Sequence, residues 1–132
     1  MSTLINSVFI SFEGIDGCGK STQVKLLMER LHDHKIKAIL VREPGGSKIA
    51  EDIRSILLDN KNNGMSSQTE ALLMTASRAQ LTREVILPKL HNGYVVVADR
   101  FQDSTIAYQG GGRGLDVPFL RDLNLFATEK LI

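Results

Sequence analysis

Apolar positions along this chain alternate between short continuous runs and stripes at helical spacing. Val8 to Glu13 is an apolar run ended by Gly14, which predicts a buried strand. After Gly19, the residues Val24, Leu27, Met28 and Leu31 recur on one helical face. Lys37 to Val41 predicts a second strand, stopped by Pro44-Gly45-Gly46. Ile49, Ile53, Ile56 and Leu57 then mark a second amphipathic helix, which ends in the polar loop from Asn60 to Gly64. A long helical pattern runs from Ser67 to Leu90, with Pro88 bending or ending it. Tyr94 to Ala98 predicts a third strand closed by Asp99 and Arg100. A glycine-rich loop, Gly110 to Gly114, and a last helix from Val117 complete the expected order.

Strands separated by helices are the order of an α/β fold, a parallel sheet with helical crossovers. The strands are near-continuous apolar runs rather than alternating ones, as required when helices cover both faces. There is no internal repeat, low-complexity tract or linker, so residues 1–132 read as a single domain. Three strands are few for this architecture, and the chain stops at Lys130-Leu131-Ile132 without a terminal cap. The expectation is a domain that is incomplete at its C-terminal end.

Composition narrows the partners. Sixteen Lys and Arg against fifteen Asp and Glu leave a net charge of +1. That excludes the broad positive field of a nonspecific nucleic-acid binder, so anions must be held by individually placed residues. The single cysteine, Cys18, permits no intrachain disulfide framework and suits a reducing cytosol. The N-terminus lacks the positive n-region of a signal peptide, and no apolar run approaches bilayer length. A cytoplasmic protein with no nucleic-acid or membrane partner is expected.

The candidate chemistry begins at Gly14-x4-Gly19-Lys20-Ser21, behind one predicted strand and ahead of a predicted helix. Glycines at this spacing let backbone amides turn inward around a phosphate, while the helix N-terminus points unpaired N–H groups at the same anion. Gly14, Ile15, Asp16, Gly17, Cys18, Gly19, Lys20, Ser21 and Thr22 therefore form a candidate cradle for nucleotide phosphates. Lys20 would reach the terminal phosphates, and Ser21 would ligate Mg2+. A turn that merely joins strand to helix is the plainer alternative. Asp99, an acid at the C-terminal end of the third strand, is the matching metal candidate, although such a residue is more often a turn or cap. The nucleotide crevice of such sheets opens at the C-terminal ends of the strands, where Glu43, Asp99 and Arg100 also fall.

FEGIDGCGKST, Arg42-Glu43-Pro44-Gly45-Gly46, Ala76-Ser77-Arg78, Asp99-Arg100-Phe101 and Ser104-Thr105-x-Ala107-Tyr108-Gln109-Gly110 occur in that order across nearly the whole chain. Together they resemble the thymidylate kinases. The resemblance implies the P-loop NTPase fold, three layers α/β/α, with family strand order 2-3-1-4-5, of which only the first three strands are present. It implies transfer of the γ-phosphoryl of ATP to dTMP, giving dTDP in dTTP synthesis, with Mg2+, by a homodimer packed through helices. The lid and last strands of the family lie beyond these residues, so weak turnover is expected of the 132-residue chain alone.

Residue chemistry agrees with that reading. A monophosphate has a second pKa of about 6 and is mostly a dianionic nucleophile at neutral pH. It needs no general base; it needs cations and in-line positioning. Arg54 and Arg100 carry planar forks suited to a phosphate, although Arg54 also fits a solvated helix face. By resemblance both bind the dTMP phosphate, with Lys20 and Arg100 catalytic and Asp16 facing the acceptor 3′-hydroxyl. The resemblance also assigns Glu43, Pro44 and Ser104 to the dTMP pocket. Arg78 would bond a pyrimidine carbonyl, Thr105 and Gln109 the other polar edge, and Tyr108 would pack on the deoxyribose.

Several positions depart from the family pattern. Met74, four residues before Arg78, stands where many members stack a phenylalanine on thymine; it equally suits a helix core. Ser47 replaces a frequent threonine, and Phe101 a frequent tyrosine or histidine. Gly17 stands where some members place an arginine, which leaves that charge to the lid. Cys18 reads as a small filler, and His32 and His34 as a solvated helix end. The open alternatives are another P-loop nucleoside or nucleotide kinase, a switch or motor NTPase, and a non-catalytic nucleotide-binding fragment. Asn60-Lys61-Asn62-Asn63 lacks the acid of a guanine-reading Asn-Lys-x-Asp motif.

Overall fold

A computed structural model describes residues 7–131. The N-terminal residues 1–6, weighed above against a signal peptide, and residue 132 at the chain end lie outside them. The elements are β1 (Val8–Phe12), α1 (Lys20–Asp33), β2 (Ala38–Arg42), α2 (Lys48–Leu58), α3 (Ser67–Leu81), α4 (Leu87–His91), β3 (Val95–Asp99), α5 (Gln102–Thr105) and α6 (Val117–Ala127). The sheet is parallel with order β1-β3-β2. This is the 2-3-1 portion of the expected order. Val96 pairs with Phe9 on one side and Ile39 on the other, which brings Phe12, Asp99 and Arg42 to a common edge.

Strand alternation divides the core in two. Val41, Val96 and Ala98, with Phe9 and Ile39, face Leu81, Ile86 and Phe101. Val95 and Val97, with Ile10, Phe12 and Ala38, face Val24, Leu27, Met28 and Leu31 of α1. The central strand is buried on both faces, so its sequence runs Val-Val-Val-Ala without a polar interruption. Among the described residues, no helix is long and apolar enough to cross a membrane.

The helical run expected from Ser67 to Leu90 does not end at Pro88: it passes through a π-turn at Thr82–Ile86 and continues to His91. Proline donates no bond to the preceding turn, and the wider turn just ahead of it accommodates that loss. The same widening keeps Leu81 and Ile86, five residues apart, both fully buried. The glycine-rich segment is also not a loop as far as Gly112: Ile106–Gly112 forms a second π-turn continuous with α5. Packing decides this against propensity, because a Cβ on Gly110 would stand 2.9 Å from Val117 Cγ2 and 3.4 Å from Leu120 Cδ1. Only glycine lets α6 approach so closely.

Candidate active site

A cleft of roughly 570 Å³ opens at the C-terminal ends of the strands. The turn between β1 and α1 contributes Asp16, Lys20 and Ser21, and a smaller hollow of roughly 330 Å³ is lined by Ile15, Gly17, Gly19 and Thr22 beside them. Gly19 begins α1 in the left-handed region, φ 89°, with no side-chain cap on the helix. The first amides of α1 are thus left for an anion. Gly17 (φ 78°) also takes a conformation that glycine adopts without strain. Cys18 does not behave as a packed filler: it is exposed, with its Sγ 2.8 Å from where a Gly14 Cβ would stand.

Lys20 and Arg100 each form an ion pair at the loop side of the cleft. Lys20 Nζ donates to Asp99 Oδ1. Arg100 Nη2 donates to Asp16 Oδ1 at 2.5 Å, and Arg100 Nη1 to the Tyr108 hydroxyl at 3.2 Å. The bond to Tyr108, and then Asp16, holds the Arg100 guanidinium above its already high ordinary pKa, so it is a permanent cation. Arg100 is left-handed, φ 70°. Such a backbone costs a non-glycine residue about 1–3 kcal/mol and persists only where surroundings enforce it. They do: Arg100 N–H bonds Phe12 O at 3.0 Å, and Phe101 N–H bonds Glu13 Oε1 at 2.8 Å. Glu13 Oε2 accepts from Ser104 Oγ at 2.5 Å. Tyr108 is not an ordinary buried aromatic, since it is 45% exposed on the cleft wall.

The opposite wall is a buried polar cluster. Arg78 is fully buried; its Nε and Nη2 hold the Glu43 carboxylate, with Nη2–Oε2 2.6 Å, and Nη2 also reaches Phe101 O at 3.1 Å. Its Nη1 donates to Asn124 Oδ1 from α6. Nη1 carries two hydrogens and so keeps one for another acceptor. Burial pushes the Glu43 carboxyl above its ordinary value, and Arg78 draws it partly back. Arg54 is half-buried and bonds Pro44 O at 2.9 Å, so it belongs to the cleft rather than to a solvated face. Met74 also lines the cleft, not the helix core.

Gln109 and Thr105 differ. Gln109 lines the cleft; its Nε2 donates to Glu70 Oε1 at 2.9 Å, and its Oε1 is buried with no partner. Thr105 is fully buried and does not line the cleft, and its Oγ1 is also without a partner. Phe101 gives neither hydroxyl nor imidazole; its buried ring lies 4.7 Å from that of Phe9 and beneath Arg78 at 5.2 Å.

Reading the sequence missed Glu13, Arg42, Glu70 and Asn124. Glu13 and Arg42 lay inside quoted motifs, and their contacts depend on chain crossings no spacing reveals. Arg42 lines the cleft while bonded to Glu51 at 3.3 Å. Asn124 carries no local signal at all; it sits 46 residues from its partner Arg78. For a divalent cation, Ser21 supplies a hydroxyl and Asp99 a carboxylate, hard oxygen donors beside the phosphate loop, and the set fits Mg2+ bound mainly through phosphate and water.

The thymidylate kinase family model matches residues 12–130. A thymidylate kinase of Citrifermentans bemidjiense is 51% identical over 123 residues, covering 93% of this chain and 55% of the relative. One from Symbiobacterium thermophilum is 53% identical over 125 residues, 95% of this chain and 58% of the relative. The crystal structure of the Ehrlichia chaffeensis thymidylate kinase superposes with a TM-score of 0.85 at 42% identity, over 92% of this chain and 66% of that one. The chain thus spans little more than half the length of the curated relatives it matches.

Proposed function

The chain belongs to the thymidylate kinase family, and we propose that the protein it represents phosphorylates dTMP to dTDP with ATP. One observation carries this reading: a phosphate-loop helix terminus and a second set of phosphate-sized cations, Arg54 and Arg100, open into one cleft. A site that only bound a triphosphate would not need the second set. Donor phosphates would lie on the amides of residues 14–22 with Lys20 at the terminal groups. Ser21 and Asp99 would hold Mg2+, which when bound supplies charge neutralisation between the donor phosphates.

The acceptor phosphate would lie on Arg54 and Arg100. An oxygen of that phosphate attacks the γ-phosphorus; the new P–O bond forms as the bond to the β-phosphate oxygen breaks, and ADP leaves with its electron pair. Lys20 and Arg100 reduce the repulsion between two polyanions and hold them in line. Before substrate binds, Lys20 is paired with Asp99 and Arg100 with Asp16. A hydroxyl acceptor would instead require a base. Glu13, beside the loop, has both oxygens engaged by Phe101 and Ser104, so it is not free to act as that base. Asp16, almost fully exposed, would meet a sugar hydroxyl of the acceptor. A cytoplasmic homodimer is the assembly in keeping with this reading, packed through the exposed apolar residues Ile56, Leu72, Phe119 and Phe126 on α2, α3 and α6.

An acceptor panel tests the function. With ATP and Mg2+, dTMP is the expected best acceptor among thymidine and the common nucleoside monophosphates, read by coupled ADP release. Phosphorylation of thymidine in preference to dTMP overturns the reading.

A further inference from the structure

The cleft wall contains an amide whose orientation is not free. Gln109 Nε2 donates to Glu70 Oε1, and Arg113 Nη2 donates to Glu70 Oε2 at 3.2 Å. A carboxylate only accepts, so the Gln109 atom that meets Glu70 must be the nitrogen. The oxygen is therefore turned to the other side, where it is buried and finds no donor among the described residues. A buried acceptor left alone costs about as much as a lost hydrogen bond, so such groups are kept where something else supplies the donor.

Glu70, Met74 and Arg78 succeed one another at four-residue intervals along one face of α3. Met74 and Arg78 line the cleft together with Gln109, and Glu70 joins Met74 and Gln109 in the adjoining hollow. Arg78 brings one spare N–H to this wall and Gln109 one unpartnered oxygen. Resting on the reading of the cleft as a pyrimidine monophosphate site, we propose that Glu70 is a positioning residue that determines base specificity. By holding the Gln109 amide nitrogen, it leaves the cleft a fixed acceptor, which a pyrimidine with an N3–H satisfies and one with a bare N3 lone pair does not.

Without Glu70 the amide can turn over and present its NH2 group, which suits a bare N3. Glu70→Ala and Glu70→Gln should therefore weaken dTMP and strengthen dCMP. The ratio of their dissociation constants should narrow at least about tenfold. Arg78 does not touch Glu70, so its share of the discrimination is common to all three proteins. The gain for dCMP is the decisive readout, because mere structural damage weakens both nucleotides together. Equal weakening, or an unchanged ratio, overturns the role of Glu70 while leaving the function intact. A parent protein that binds dCMP as well as dTMP, or neither, overturns the reading of the site itself. Side-chain amide exchange in the unsubstituted protein is a second measurement should the variants not fold. Slow exchange of the Gln109 NH2 before nucleotide is added is expected, and exchange at the rate of an exposed glutamine overturns the proposal.

Discussion

Glu43 and Arg78 show how strongly one buried pair can govern a site. Their charges are removed from water almost entirely, and each has the other as its main compensation. Replacing one partner leaves the other charge buried alone, which costs more than the pair itself contributes. Glu43→Gln should lower the unfolding free energy by about 3–5 kcal/mol in urea titrations. A loss below about 1 kcal/mol, the scale of an exposed pair, would contradict this account. In the sequence, Arg78 is singled out only by its family setting. That its Nε, Nη1 and Nη2 all donate to the protein follows from Glu43, Phe101 and Asn124 converging on it from three segments.

At the level of elements, the turn from β2 into α2 ties the cleft floor to a helix start. Ser47 caps α2 by accepting from Ala50 N, and Glu51 accepts from Gly46 N–H at 2.9 Å. Gly46 (φ 91°) has Leu81 Cδ1 at 2.7 Å from a would-be Cβ, so no other residue fits there without displacement. The Gly46 amide, and after it Arg42, holds the Glu51 carboxyl below its ordinary value of 4.5. A depressed carboxyl stabilises the fold above its unfolded pKa and loses that effect as pH falls through its folded one. The melting temperature of the parent protein should exceed that of Glu51→Gln above about pH 4.5 and converge with it on further acidification. A constant gap at all pH values would exclude a charge effect at this turn.

At the scale of the whole chain, the described residues leave large apolar side chains uncovered. Phe126 is 83% exposed and Phe119 57%, both on α6, and Leu72 is exposed on α3, against which α6 packs. Large rings in water favour a partner surface. Under the proposed homodimer, Phe126→Glu should shift sedimentation toward the monomer at concentrations where the parent protein is dimeric. A parent protein that is monomeric throughout the range, or a variant that dimerises equally well, would exclude this face.

How far the chain could be read without coordinates depended on how local the cause was. The phosphate loop is a matter of backbone conformation and a following helix, and the glycines, Lys20 and Ser21 that create it are contiguous, so it was legible. The parallel sheet was legible too, because its central strand, buried on both faces, is forced into a continuous apolar run, although the edge strands β1 and β2 are only partly buried. The helix at Ile106–Gly112 was not. Its glycines serve a close approach to Val117 and Leu120, and a close approach cannot be told from a turn in composition alone. Nor could spacing show that Thr105 is buried behind the wall, that Glu13 anchors the turn at Arg100, or that Asn124 and Glu70 bond Arg78 and Gln109 of the cleft. Short-range conformational demands are written in consecutive residues. Hydrogen-bond partners dozens of residues apart are decided only when the sheet and helices bring their donors and acceptors within 3 Å or so of one another.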